Sequence, residues 1–443
     1  MRDLDVPPTP IDAITSPFVR FARMEAAGGI VLLAATVAAL VWANSPWQHS
    51  YVEVFERPLT IGFGRFLVTE NWHAWINDGL MALFFFLVGL EIKREVLVGE
   101  LSSLSRAALP FVAAIGGMVV PALIYLSIAQ GEDLSRGWAV PISTDIAFTL
   151  GTLAFLGNRV PISLKVFVTA LAIVDDIFAV IVIAAFYTST IHYLSLALGL
   201  ACIVAAFVAN LLGVRNPAIY ATIGIAAWLS ILSSGVHATI AGVLLAFTIP
   251  AGTYLDKSQF LAQGRSLLSK LDRADANSLE EHSILDTLER KIGLVESPLH
   301  RIEQALQPWI SFLVMPLFAL ANAGVNLFEA GGAAIKHPLS LGIVFGLVLG
   351  KPAGIWLFSI LAVKSRLATS LAQVSWRQVL GAACLCGIGF TMSIFVAGLA
   401  FNTAQLLDIA KIAILAASLL SAILGCLMLT RRAPSIAPPE ERG

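Results

Sequence analysis

Asp175 and Asp176 stand side by side in an apolar run, residues 161–187, that is long enough to cross a bilayer. A carboxylate near the centre of a bilayer costs roughly 2.5–3.5 kcal/mol on insertion scales, and such a residue reads as functional by default. Cation binding, proton carriage or both are the chemistries that call for two of them. Asp145 falls near the middle of another apolar segment, in Pro141-IST-Asp145, and Lys351 near the middle of a third, in Gly350-Lys351-Pro352. Four charges on three segments thus share a depth close to the midplane, which charges scattered for structure alone would not be expected to do. Buried ion pairs that only fix packing are the alternative. Successive residues of an α-helix point about 100° apart. One aspartate can therefore line a cavity while the other faces a neighbouring helix, with Lys351 as the obvious cationic partner.

The same depth carries helix-weakening residues. Pro141, Ser143 and Thr144 flank Asp145, and Cys386-GIGFTMSI-Phe395 brings together Gly387, Gly389, Thr391 and Ser393. Unwound backbone inside a membrane is tolerated only where it is buried or lines a cavity, and it exposes carbonyls and helix-end dipoles to ions. Close helix packing through small residues is the competing account of the second stretch. Further polar candidates sit nearer the segment ends. Asp78 lies toward one end of the segment at roughly 72–98 and Glu91 toward the other, where it either lines an entrance or pairs with Lys93 and Arg94. His237 has a side chain that titrates in the useful range, against a plain hydrogen-bonding role at a helix end.

The elements that must position these groups follow from composition. The chain is 443 residues long, 58% hydrophobic and 13% charged, with mean hydropathy +0.84, where soluble domains carry about 25% charged residues. This is an all-α polytopic membrane protein with the lipid bilayer as its surroundings. Twelve candidate spans fall at roughly 24–43, 72–98, 107–128, 133–155, 162–187, 194–212, 217–230, 235–250, 303–326, 338–363, 378–403 and 406–430. The fourth and eleventh are the second members of two three-span groups, and interrupted segments at matching positions point to an inverted-repeat transporter. By our count 22 of the 28 Lys and Arg residues fall on one side. Lys411 is counted on the other side, with Arg57, Arg65, Arg136 and Lys336. The positive-inside rule then makes both termini cytoplasmic.

Residues 1–23 form a cytoplasmic N-terminal segment with no cleavable signal peptide, 24–430 the transmembrane domain, and 431–443 a disordered tail. Within 44–71, Leu59-TIGFGRFLV-Thr69 alternates as a hairpin would, with Gly62 and Gly64 as turn residues; a plain loop is the alternative. In 251–302, apolar residues from Ile284 to Leu306 recur at three- and four-residue steps. They read as an amphipathic helix running into the ninth span, or else as a solvated connector. The four cysteines lie in apolar stretches with no zinc or haem spacing, and no cofactor is expected. A net charge of −1 gives no field for nucleic acid.

Several strings together resemble the NhaA family of bacterial sodium/proton antiporters: Asn77-DGLMALFFFLVGLEIKRE-Val96, Pro141-ISTDIAFTLG-Thr152, Ala172-IVDDIFAVI-Val182, Ser234-GVHATIAG-Val243, Met315-PLFALANAG-Val325 and Gly350-KPAGI-Trp356. The likeness runs from about residue 20 to 430. It implies that Asp176 is the principal ligand for Na⁺ or Li⁺, with Asp175 and Thr144 beside it. It also implies that Asp145 and Thr144 belong to an unwound stretch, and that Lys351 is the lysine of the tenth helix. Glu91 would lie near a cytoplasmic funnel, and His237 would be linked to pH response. A homodimer joined largely through an outward hairpin and a bacterial inner-membrane location are further implications. Two departures stand out. The loop after the eighth span is longer than in the best-studied pattern, and Arg301-IEQALQ-Pro308 keeps Glu303 but has Gln304 and Gln307 where that pattern has histidines. Gln does not titrate, so pH regulation that relies on those histidines has no carrier at these positions.

The implied reaction is electrogenic exchange of cytoplasmic Na⁺ or Li⁺ for external H⁺. Burial of a carboxyl group favours its protonated form, so one carboxylate can hold either ion and couple the two gradients. The protein is then a secondary transporter and not an enzyme. A sodium-coupled symporter of an organic anion is the alternative, although no polar cluster for an organic solute is evident. An intramembrane aspartyl protease would need its two aspartates to converge from different helices, and here they diverge on one.

Overall fold

Inside a bilayer a helix meets its own backbone hydrogen-bonding needs, so apolar runs of this length are helical. The computed structural model describes residues 27–63, 66–188, 191–252, 257–273 and 278–430; the segments 1–23 and 431–443 lie outside the described residues. Among those described, seven helices are long and apolar enough to cross a membrane: Leu104–Ile128, Glu132–Leu156, Ile162–Phe186, Tyr193–Leu211, Pro298–Asn322, Pro338–Lys364 and Ala404–Thr430. The number reaches nine if two bent pairs each count as one span. These are Ala27–Ala43 with Gln48–Glu56, bent by 115°, and Trp376–Cys386 with Phe390–Ala400, bent by 46°. Pro217–Leu232 and Thr239–Thr248 are apolar but shorter. The chain is a helical polytopic membrane protein.

The helices divide into two units. The first comprises Met1–Leu80, Val98–Tyr187 and Ser311–Gly443. Its centre is the crossing of Leu104–Ile128 with Lys351–Lys364, where Gly116 and Gly354 face each other so closely that a Cβ on either would strike the other's carbonyl oxygen. Small residues at such a crossing bring two backbones together where no hydrophobic effect drives helix association. Both helices contain proline: Pro110 and Pro121 in the first, and Pro352 in the first turn of the second.

At one end of this unit, Pro58–Phe63 and Phe66–Asn71 pair as an antiparallel hairpin, with Leu59 opposite Glu70 and Ile61 opposite Val68. Gly62, expected in the turn, is instead paired with Leu67. The strands stay in register as far as Phe63 and Phe66, and the connection at 64–65 lies outside the described residues. Trp75 anchors the hairpin by donating from its indole N–H to Leu59 O at 3.0 Å. Asn71 caps the helical turn that follows, its side chain accepting from Ala74 N at 2.7 Å.

The second unit comprises Met81–Leu97 and Thr188–Ile310. Leu90, Ala206, Tyr220, Leu245, Ala246, Ile249 and Leu299 form its buried core. Lys93 donates to the carbonyls of Phe247 and Ile249, at the C-terminus of Thr239–Thr248, where a cation suits the helix dipole. The segment 251–302 carries helices Lys257–Leu271 and Leu279–Val295. The amphipathic helix expected to run unbroken into the ninth span stops at Val295, and a new one starts at Pro298. Proline has no N–H to continue a helix but suits its first position, and Ser297 Oγ caps the restart by accepting from His300 N at 3.2 Å.

Candidate functional site

In the first unit two stretches lose regular α-helix at the same place. Arg136–Ile142 is a 3₁₀ helix containing Pro141, residues 143–145 are extended, and an α-helix resumes at Ile146. Opposite it, Trp376–Cys386 ends, residues 387–389 intervene, and Phe390–Ala400 begins. The backbone groups freed by one break are satisfied by the other. Asp145 N donates to Ile388 O at 2.7 Å, and Thr144 Oγ1 to Cys386 O at 3.0 Å. Thr149 Oγ1 donates to Leu385 O at 3.1 Å, and Ser393 Oγ to Val140 O at 2.8 Å. Gly387 lies against Leu347 O and Ser421 Oγ, and Gly389 against Ser393 Oγ, so neither position leaves room for a Cβ.

Asp145 is the N-cap of Ile146–Leu156. Its Oδ1 accepts from Phe148 N at 3.0 Å, which is ordinary capping. Its Oδ2 accepts from Thr391 N at 3.1 Å and from the Thr391 hydroxyl. One carboxylate thus ties together the N-termini of two half-helices, where the positive end of each dipole favours negative charge.

Asp175 and Asp176 lie mid-way along Ile162–Phe186 and are both buried. Asp175 Oδ2 accepts from Thr144 Oγ1 at 2.8 Å and forms an ion pair with Lys351 Nζ at 2.9 Å. The same ammonium donates to Ile142 O, in the 3₁₀ stretch. Lys351 follows a π-helical turn, Gly346–Gly350, and its N–H reaches back five residues to Gly346 O. Such a turn carries one residue more than an α turn, and it commonly marks functional positions. The fold therefore gathers Pro141, Thr144, Asp145, Asp175, Asp176, Lys351, Gly387 and Gly389 in one region of one unit. Carboxylates, hydroxyls and freed carbonyls are the oxygen donors a hard monovalent cation takes.

Asp78 belongs to the first unit as well, in the π-helical turn Trp75–Leu80, within electrostatic reach of Glu70. Glu91, Glu303 and His237 belong to the second unit. There Arg94 pairs with Glu303 at 2.8 Å and with Glu95 at 3.1 Å, and Glu91 stands within electrostatic reach of all three. His237 lies in the turn between Pro217–Leu232 and Thr239–Thr248. Gln304 is bonded to His300 at 2.8 Å.

Two partners of the charged groups, Thr391 and Ile142, are not assigned by the sequence: Thr391 is marked there only by its depth, beside Gly387, Gly389 and Ser393. Thr391 is one of several small hydroxyl residues in its span, and a backbone carbonyl has no signature in sequence. Lys411, counted with the charges of the other side, is buried within Ala404–Thr430.

Residues 19–429 match the family model described as Na⁺/H⁺ antiporter 1. The chain is 58% identical to the Na(+)/H(+) antiporter NhaA of Koribacter versatilis, over 96% of this chain and 93% of that protein. It is 49% identical to Na(+)/H(+) antiporter NhaA 2 of Sorangium cellulosum, over 93% and 88%, and 43% identical to the NhaA protein of Escherichia coli, over 92% and 96%.

Proposed function

The chain belongs to the Na⁺/H⁺ antiporter 1 family and exchanges sodium ions for protons, and from that premise we propose which residues carry the exchange and how. Asp176, with Asp175 and Thr144 beside it, holds either Na⁺ or protons, and Li⁺ takes the same place. Because one site serves both ions, binding one expels the other, and the two gradients are coupled without any covalent step. The observation that carries this reading is the burial of two aspartates and a lysine beside two mutually bonded helix breaks.

Asp175 and Lys351 supply the switch. While Asp175 is ionised, its attraction for Lys351 holds the lysine's helix against Ile162–Phe186. Protonation of Asp175 removes that attraction, frees the ammonium, and lets the site change the side to which it opens. Asp145 acts differently, neutralising the two half-helix N-termini and keeping the breaks assembled while ions pass. Moving more protons inward than sodium ions outward makes the cycle electrogenic.

Twelve spans arranged as two inverted groups, with both termini on the cytoplasmic side of a bacterial inner membrane, are the architecture in which we place this site. The hairpin Pro58–Asn71 then faces outward and joins two copies of the chain. Glu91, His237, Glu303 and Asp78 are the residues we assign to entry or pH response.

Competition has a direct signature. Adding NaCl to purified protein in weakly buffered detergent at alkaline pH should release protons from the wild type, while choline chloride releases none. An Asp176→Asn variant that released as many protons as the wild type would remove Asp176 from the centre of the reading.

A further inference from the structure

Lys411 lies seven residues into Ala404–Thr430 and is 8% exposed. Among the described residues it makes no hydrogen bond and no ion pair. A buried ammonium is costly unless something offsets its charge. Asp408, one turn earlier on the same helix, is near enough to do so electrostatically. His73, in the turn Trp72–Ala74, is close enough to Lys411 to feel its charge. His73 is itself held by Asn77 at 3.2 Å, and Asn77 exchanges amide hydrogen bonds with the buried Asn322 at 2.8 and 3.3 Å.

The helices packed on Ala404–Thr430 bring little other charge. Pro338–Phe345, Phe390–Ala400, Gly346–Gly350 and Ile146–Leu156 contain none, although Lys351 follows the third and Asp145 caps the fourth. Leu327–Ala334 has Glu329 in its sequence, and Trp376–Cys386 contributes Arg377 at its far end. Lys411 is also on the same face as the ion site's supports. Ser418, seven residues on, accepts from Phe390 N at 3.1 Å, beside the Thr391 that holds Asp145. Seven residues rise about 10 Å along a helix. No neutralising group on that stripe separates the amine from the breaks: Ile414 and Ser418 are the intervening residues.

We propose that Lys411 is a positioning charge for the transport reaction, lowering the affinity of the aspartate site for sodium by repulsion through the low-dielectric interior. This rests on the reading of Asp145, Asp175 and Asp176 as the ion site. A unit charge at about 10–15 Å in a medium of effective dielectric about 20 changes a monovalent affinity by about six- to sixteenfold. The benefit to an exporter is release, since a cation that is repelled leaves more readily. The same charge acts on a competing proton, so its effect on the apparent KM for sodium shrinks in acid, where protons occupy the site.

The test is sodium-dependent exchange in proteoliposomes of Lys411→Met, Lys411→Arg and Asp408→Asn, each first shown to melt like wild type in detergent. The expected result is a KM for sodium about six- to sixteenfold lower in Lys411→Met at alkaline pH, converging on wild type in acid, with a near-normal value in Lys411→Arg. Asp408→Asn should move KM the opposite way. If Lys411→Met misfolds, the Asp408→Asn and Lys411→Arg pair still decides. An unchanged KM in Lys411→Met, or in Asp408→Asn, overturns the proposal. The Asp176→Asn control separates this from failure of the site reading, which would show as normal exchange without that carboxylate.

Discussion

Lys351 and Asp175 form an ion pair at 2.9 Å in which the side chains are 0% and 2% exposed. Three further contacts hold it in register: Thr144 Oγ1 on the same carboxylate oxygen, Ile142 O on the ammonium, and the π-helical turn that delivers Lys351. A pair buried this completely is weak evidence for stability in itself, but breaking it from one side is expensive. The arrangement suits a device whose two states differ in whether the pair exists.

Removing one partner therefore costs more than removing both. Lys351→Met or Asp175→Leu alone should destabilise the protein by about 3–5 kcal/mol, the usual range for leaving one member of a buried pair behind. The double variant Asp175→Leu/Lys351→Met should recover most of that loss while exchanging no sodium. Thermal melting in detergent checks the first statement and vesicle transport the second. Additive losses in the double variant would mean the pair is not coupled.

Thr391 gives Asp145 a hydroxyl and a backbone N–H across the two breaks. Only the hydroxyl is lost in Thr391→Val. A hydrogen bond to a charged group contributes about 1.5–3 kcal/mol, so stability should fall by that order and the exchange rate should fall with it. Thr391→Ser, which keeps the donor, should restore both. A valine variant with wild-type melting and transport would show that the hydroxyl contact is dispensable.

Gly116 and Gly354 set how closely the helix that carries Lys351 packs on Leu104–Ile128, because the two touch backbone to backbone. A side chain at Gly116 would meet Gly354 O and the Phe358 ring. Overpacking of this kind costs typically about 1–3 kcal/mol. Gly116→Ala should lower the melting temperature and slow exchange even though it touches no charged group. Gly331→Ala, where nothing stands in the way of a Cβ, should do neither.

Much of the helical layout could be read from hydropathy, because in a bilayer apolar length alone determines what can span. The charged region could be read for a related reason. Asp145, Asp175, Asp176 and Lys351 each interrupt an apolar run, and the fold buries all four to 5% exposure or less. What could not be read depends on contacts between distant segments. The Thr391–Asp145 bond joins residues 246 positions apart, and neither residue type announces it. Lys411 lies near one end of its apolar run, and only its burial in the fold shows it to be interior. The restart at Pro298 was hidden because Leu279–Val295 and Pro298–Trp309 keep the same apolar period across the break.

The most direct measurement places wild type and Asp176→Asn in sealed vesicles with an acid interior and a fluorescent pH probe, then adds sodium outside across pH 6.5 to 9. Asp176→Asn should leave the gradient standing while wild type dissipates it rapidly, with both proteins folded by thermal melting. Equal collapse in the two proteins would contradict the assignment of Asp176 as the residue at which sodium and protons compete.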